Sequence, residues 1–199
     1  MALGDSYTIG TSVAEVERWP NQLAAALAPD LPRLELVGNL AVNGFTSRDV
    51  IELELPSLAS FRPEFVSLLS GVNDVVQGVP AETYRRNIGA ILDQLVGSVG
   101  AQRVLAVTTP DHTVTPAGAD FGDPAGQSAG IRENNHLIAE VAGSRGVTVV
   151  DIHDISLRAA ADQTLVARDG LHPSGEQYRL WVERIAPAVR ELLAEPEPP

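Results

Sequence analysis

Short apolar runs alternate along this chain with longer stretches in which apolar residues return every three or four positions. The short runs are Met1–Leu3, Leu34–Val37, Phe65–Leu69, Val104–Val107 and Val147–Ile152. Most are continuous and rich in Val, Leu and Ile, the pattern of strands buried on both faces. The longer stretches predict helices. Trp19-Pro20 opens one that runs to Leu27, with proline where a helix start tolerates it. Pro80–Val96 carries Tyr84, Ile88, Ile91, Leu92 and Leu95 at helical spacing, and Ile131–Ala142 carries Ile131, Leu137, Ile138 and Val141. Ser174–Leu193 is the last helix, and Arg48–Leu55 a candidate short one.

Strands that alternate with helices imply a parallel sheet covered on both faces, so the expected fold is an α/β three-layer sandwich with a parallel five-stranded sheet. No internal repeat or boundary interrupts it, and residues 1–193 are expected to form one domain. Ala194–Pro199, rich in Pro and Glu, is expected to be a disordered tail. Two segments lack any period: Asn39–Ser47, and the long Thr109–Gly130, rich in Pro, Gly, Asp and Thr. Loops of that length in a compact domain are usually functional or mobile. In open parallel sheets ligands bind beyond the carboxyl ends of the strands, and both segments can reach that edge.

Composition narrows the chemistry. The net charge is −12 and the sequence holds no lysine and no cysteine. An acidic surface repels phosphate backbones, which argues against nucleic acid as a partner. Without lysine there is no Schiff base, and without cysteine no thiol nucleophile or zinc thiolate. Hydroxyl, imidazole and carboxylate groups remain. No apolar run approaches the eighteen or so residues that span a bilayer, so stable membrane insertion is not expected. No leader of basic then apolar residues follows Met1, and the expectation is a cytoplasmic protein, or a secreted one in mature form. Nothing in the pattern points to an oligomeric state.

Three features could carry chemistry. Ser6 follows the first strand directly, flanked by Gly4 and Asp5. A serine on a tight strand-to-helix turn projects its hydroxyl to the ligand-binding edge, although Gly-Asp-Ser alone reads equally as a turn with a helix cap. Asp169 and His172, three apart before the last helix, could be joined by one turn, with the histidine a general base and the aspartate its orienting partner. The plain alternative is a solvated loop. Gly44 in Asn43–Thr46 offers an unobstructed backbone N–H, and Asn73 in Gly71–Asp74 offers a side-chain amide at a strand end. Both suit an oxyanion hole, and both are also ordinary turn residues. His136 and His153 read as packed or surface residues, and His112 as the same with a chance of lining a site from the long loop. Asp111 beside His112, and Asp151 beside His153 and Asp154, show no recognised metal-ligand spacing, and no metal or cofactor is expected.

Taken together and in order, these segments resemble the SGNH hydrolases, also called the GDSL esterases and lipases. Gly4-Asp5-Ser6-Tyr7 matches the first block, with tyrosine where leucine often stands. Asn39 to Ser47 matches the second, Gly71-Val72-Asn73-Asp74 the third, and Asp169 to His172 the last. The resemblance covers nearly the whole chain. It implies a flavodoxin-like fold and a serine hydrolase of carboxylic esters working through an acyl-enzyme. Ser6 would be the nucleophile, His172 its base, Asp169 the partner of His172, and Ser6, Gly44 and Asn73 the oxyanion hole. The implied partner is a small-molecule ester, with no cofactor.

Val72 replaces a glycine common in the third block, a change expected to alter the backbone beside Asn73 without removing its amide. The strand before Ser6 is short, which leaves room for residues upstream of Met1. Gly126-Gln127-Ser128-Ala129-Gly130 also matches the G-x-S-x-G elbow of α/β-hydrolases, but that elbow needs a strand directly before the serine. Ala117–Ala125 cannot form one, and Ser128 is expected to cap a helix that begins near Ile131. With 5% aromatic residues and no large exposed apolar segment, short acyl or soluble aryl esters are favoured over lipid surfaces. Alternatives on the same triad are O-deacetylation of a carbohydrate or small metabolite and acyl transfer to an alcohol. More remote is a silent binding module, which should have lost at least one of the five site residues.

Overall fold

A computed structural model of the protein describes residues 1–194. Four parallel strands, β1 (Ala2–Gly4), β2 (Val66–Leu69), β3 (Val104–Val107) and β4 (Thr148–Val150), pair in the order β1-β2-β3-β4. Ala2 lies opposite Ser67, Val66 opposite Val104, and Leu105 opposite Thr148. The side-chain alternation of the strands feeds two cores. Leu3, Val66, Leu68, Val104 and Ala106 point to one, and Leu69, Leu105, Val107 and Val150 to the other.

Seven helices shape the layers and the site: α1 (Ser6–Ile9), α2 (Trp19–Leu27), α3 (Val72–Val76), α4 (Ala81–Val99), α5 (Pro124–Gly143), α6 (His153–Leu157) and α7 (Gly175–Leu193). On one face α4 and α5 bury Tyr84, Ile88, Ile91, Leu92, Leu95 and Ile138 against the sheet. On the other, α2 and α7 pack together through Trp19, Leu23, Leu27, Tyr178, Trp181, Ile185 and Val189. The three-layer sandwich is therefore present. Among the described residues no helix is long and apolar enough to cross a membrane.

The expected fifth strand, Leu34–Val37, does not form. The segment that runs beside β1 is displaced toward the C-terminus. Ala2 N–H donates to the Gly38 carbonyl (3.0 Å), Leu40 N–H to Ala2 (3.0 Å), and the only ladder pairing is the bridge between Ala2 and Asn39. β1 has just three residues to offer, and residues 38–42 take them, so Leu34 and Leu36 pack without pairing. With that segment counted second, the spatial order is 2-1-3-4-5, the flavodoxin-like order. Its switch point lies between β1 and β2.

Other boundaries also moved. Arg48–Leu55 belongs to a run of short helical turns over 47–61 that includes a π turn at Val50–Glu54. The long loop is shorter than expected, because α5 begins at Pro124 and not near Ile131. Asp123 caps it by accepting from Gly126 N–H (2.8 Å), with Pro124 at the first helical position. Ser128 thus lies inside the helix and does not cap it. No strand precedes it, so the alternative elbow is absent. Of the tail expected to be disordered, only Ala194 falls within the described residues.

At the switch point, carboxylates are buried beneath the β1–α1 turn. Glu54 accepts from Gly4 N–H through Oε2 (2.9 Å), and Asp5 accepts from Tyr7 N–H through Oδ1 (3.0 Å). Their other oxygens have no partner among the described residues. Burial pushes Glu54 up to about 8, against the opposing Gly4 N–H, and pushes Asp5 up to about 7. Between the ordinary carboxylate range, near 4, and pH 8 the folded protein then holds protons that the unfolded chain releases. Stability contributed by these groups therefore falls as pH rises through that window. Glu54→Gln keeps the acceptor for Gly4 and has nothing to ionise. It should melt close to wild type at pH 5 and above it at pH 8, by thermal denaturation across that range; a constant gap would mean that Glu54 is ionised in the folded protein.

Candidate active site

Ser6 is the first residue of α1, immediately beyond β1, where its N–H has no partner within the helix. Asp5 caps that helix, and Gly10 closes it in the left-handed region with its N–H on the Ser6 carbonyl (3.1 Å). Ser6 is 6% exposed and reaches a cavity of about 190 Å³ lined also by Tyr7, Asn43, Gly44, Val72, Asn73, Val76, His112, Phe121, Leu171 and His172.

The second wall comes from the loop at 43–47 and from α3. Gly44 sits at φ +82 with nothing near where a Cβ would stand, and its N–H has no partner among the described residues. Four hydrogen bonds fasten this loop to α3 and to Gln77 at its end. Asn73 Nδ2 donates to the Phe45 carbonyl (2.9 Å), leaving its second amide hydrogen free, and Gln77 Nε2 donates to the Gly44 carbonyl (3.0 Å). The Asp74 carboxylate accepts from Ser47 Oγ (2.5 Å) and Ser47 N–H (2.9 Å). Gly71, at φ +138, lets the chain leave β2; a Cβ there would stand 2.8 Å from the Tyr84 hydroxyl. Val72 begins α3 and supplies apolar wall, so the departure from glycine leaves the Asn73 amide available.

The loop before α7 brings Asp169 and His172 together. His172 Nδ1 lies 2.7 Å from Asp169 Oδ2, while Asp169 Oδ1 accepts from Leu171 N–H (2.9 Å) and His172 N–H (3.0 Å). One turn therefore suffices for the pairing, as the spacing predicted. A bond from Nδ1–H to the carboxylate assigns the tautomer in which Nε2 is free to accept. Ser12 Oγ also donates to Asp169 Oδ2 (2.6 Å). Burial acts to raise the Asp169 carboxyl, but the bonds from Ser12, Leu171 and His172 outweigh it and hold it well below the usual carboxylate range. The Tyr7 ring leans on His172, with centroids 5.2 Å apart.

Ser6 and His172 line one cavity without a hydrogen bond between them. Such contacts are often long in unliganded sites and tighten when substrate binds.

The remaining histidines separate. His136 is exposed on α5, and His153 Nε2 stands 3.7 Å from Asp111. His112 is 2% exposed, lines the cavity, and has no partner for either ring nitrogen among the described residues. Burial lowers its pKa, the Asp111 charge opposing, so the ring is held neutral. Its neighbour Asp111 accepts from Ser128 Oγ (2.5 Å) and Thr113 Oγ1 (2.6 Å), and its N–H donates to Ser156 Oγ (2.8 Å), which fixes the segment. His112 thus lines the site from the long loop, the place the sequence left open for it, whereas Ser12 and Thr11 carry no motif that points to a site. The only signal at those two was a turn after Gly10. Among the described residues no group of three or more acidic or histidine side chains could hold a metal ion.

Solved structures share this fold. An acetyl xylan esterase from Geobacillus stearothermophilus superposes with a TM-score of 0.73 at 17% identity, over 100% of this chain and 95% of that one. A lipase/acylhydrolase from Enterococcus faecalis gives 0.74 at 21%, over 99% and 98%. An α/β hydrolase enzyme from the metagenome of Lake Arreo gives 0.73 at 19%, over 97% and 95%. Comparison with curated protein sequences finds no match. The profile of the GDSL-like Lipase/Acylhydrolase family matches residues 2–180, and with four blocks of sequence gathered around one cavity, the chain belongs to that family of carboxylic ester hydrolases.

Proposed function

We propose that the protein hydrolyses esters of short acyl groups through Ser6, His172 and Asp169. The observation that carries this reading is the pairing of His172 Nδ1 with Asp169 at 2.7 Å in the wall of the cavity that also holds Ser6. In this mechanism His172 Nε2 takes the Ser6 proton as Oγ attacks the ester carbonyl, and Asp169 stabilises the imidazolium. The N–H groups of Ser6 and Gly44 and the free Asn73 amide hydrogen receive the negative charge that develops on the carbonyl oxygen. One such donor is typically worth about 3 kcal/mol. The leaving alcohol takes the proton from His172, and water repeats the cycle on the acyl-enzyme.

Size supports the short acyl group. A cavity of about 190 Å³ falls below the roughly 300 Å³ at which sites for drug-sized ligands begin. Hydrolysis of p-nitrophenyl esters from acetate to palmitate tests this. Wild type should be fastest on acetate or butyrate, with Ser6→Ala losing at least about a thousand-fold. Activity that survives in Ser6→Ala refutes the assignment, and a preference for palmitate refutes the short acyl group.

His112 favours a second, narrower reading, O-deacetylation of a hydroxylated alcohol such as a sugar. A buried neutral imidazole with two unpaired nitrogens lacks hydrogen bonds that a polar ligand in the cavity could supply. The Phe121 ring stands edge-on to His112, with centroids 5.8 Å apart, and lines the same cavity. An acetylated methyl glycoside resembles the substrates named for the Geobacillus stearothermophilus enzyme. His112→Leu should lower kcat/KM on that ester by about ten-fold, the worth of one hydrogen bond, and on p-nitrophenyl acetate by less than about three-fold. Equal losses on the two esters would remove His112 from substrate recognition.

A further inference from the structure

The turn that follows α1 touches all three parts of the site, and one of its residues holds a backbone conformation that needs a reason. Ser12 lies at φ +66, one of two non-glycine residues with positive φ among those described. L-residues avoid this region, and a glycine would occupy it without strain. Retention of a strained side chain directs attention to what that side chain does. The Ser12 hydroxyl donates to Asp169 Oδ2 at 2.6 Å, across 157 residues of sequence, on the oxygen that also receives His172 Nδ1. Next to it, Thr11 Oγ1 donates to Asn43 Oδ1 at 2.6 Å, beside Gly44. The N–H groups of Gly10 and Thr11 both return to the Ser6 carbonyl at 3.1 Å.

We propose that the Thr11–Ser12 turn is a positioning device that registers the loops bearing Gly44 and His172 to the nucleophile helix, and that Ser12 acts on His172 through Asp169. The inference rests on reading Asp169 and His172 as the acid–base pair. Oδ1 of Asp169 is fixed by two backbone N–H groups whether or not Ser12 is present. Removal of the hydroxyl therefore leaves the carboxylate in place and changes how its charge is shared. Oδ2 then has only His172 Nδ1 to serve, and the imidazolium is better stabilised. Of the groups facing His172, only this bond is altered. The Tyr7 ring from α1, the neutral His112 from the loop after β3, and Asp111 behind it remain as they are.

Two variants and two readouts test this. Ser12→Ala removes the hydroxyl and keeps the strain, whereas Ser12→Gly removes both. In the resting protein, without substrate, the Nδ1–H resonance of His172 is followed by proton NMR. In turnover, the pH profile of kcat/KM is followed with p-nitrophenyl acetate. In both variants the resonance should move downfield and the acid limb should move to higher pH by roughly half a unit. Ser12→Gly should also melt no lower than Ser12→Ala. The proposal is overturned if both readouts keep their wild-type positions, or if Ser12→Gly behaves as wild type while Ser12→Ala does not, since strain alone would then explain the serine. A resonance that moves in a protein without Ser6-dependent turnover upholds the link from Ser12 to His172 and refutes the catalytic reading instead.

Discussion

The pairing of β1 with β2 is the constraint on which the site depends. Gly4 stands opposite Leu69 in the register, and a Cβ at Gly4 would come within 2.0 Å of the Leu69 carbonyl oxygen. That approach lets two neighbouring strands end together, after which the chain leaves β1 into the Ser6 turn and β2 into the Gly71–Asn73 turn. In a 2-1-3-4-5 sheet the crossovers flanking these two strands diverge to opposite faces, and a crevice opens between them. Ser6 and Asn73 share a cavity for this reason, although they lie far apart in the sequence. The apolar layers on either side contribute no chemistry; they hold the roots of the turns immobile.

Such proximity places acidic groups where water does not reach. Asp5 caps α1 and Glu54 receives the Gly4 N–H, so each fastens the end of β1, and burial raises both toward neutrality. Asp169 experiences the opposite balance. It is also partly withdrawn from water, but four hydrogen bonds from Ser12, Leu171 and His172 overcome burial and keep it ionised. Number of donors, and not depth alone, separates a carboxyl that stays neutral from one that can support an imidazolium. Among the described residues no arginine bonds to these three carboxyls; backbone N–H groups, the Ser12 hydroxyl and the His172 ring hold them instead.

Much of this was legible in the sequence, for identifiable reasons. β2, β3, α2, α4 and α7 emerged within a few residues of their bounds, since each carries a full period or a continuous apolar run. Elements of five residues, α3 and α6, were invisible because so short a helix shows no period. The first turns of α5 hid behind Gly126 and Gly130, though Asp123-Pro124 is a sound start signal. Leu34–Val37 failed as a strand because an edge position needs only one paired neighbour, and residues 38–42 supply it. In the site, Asp169 and His172 are joined within one turn and could be inferred from spacing. The burial of His112 could not, because Thr113 donates to the Asp111 carboxylate and Thr115 to the His112 carbonyl, local bonds that let a polar segment enter the interior.

What sequence motifs cannot convey is how the pieces of the site are held in register. Each block carries its own geometry: a capped turn at Ser6, a left-handed glycine at 44, a helix start at Asn73, an Asp–His turn at 169–172. Between blocks, register depends on side-chain bonds outside the expected catalytic set, among them Gln77 to Gly44, Ser47 to Asp74, Thr11 to Asn43 and Ser12 to Asp169. A single neutral bond contributes only about 1 kcal/mol net, too little to hold a loop alone. Several, converging on one cavity from three loops whose roots are fixed in the sheet, confine it far more tightly than any one could. Ser12, like Ser47, bonds to a carboxylate, and to one held ionised, as Asp169 is, a hydrogen bond is roughly twice as strong. The strained backbone at that residue is thus matched to the strongest contact available to it, and the same contact reaches the oxygen that His172 shares.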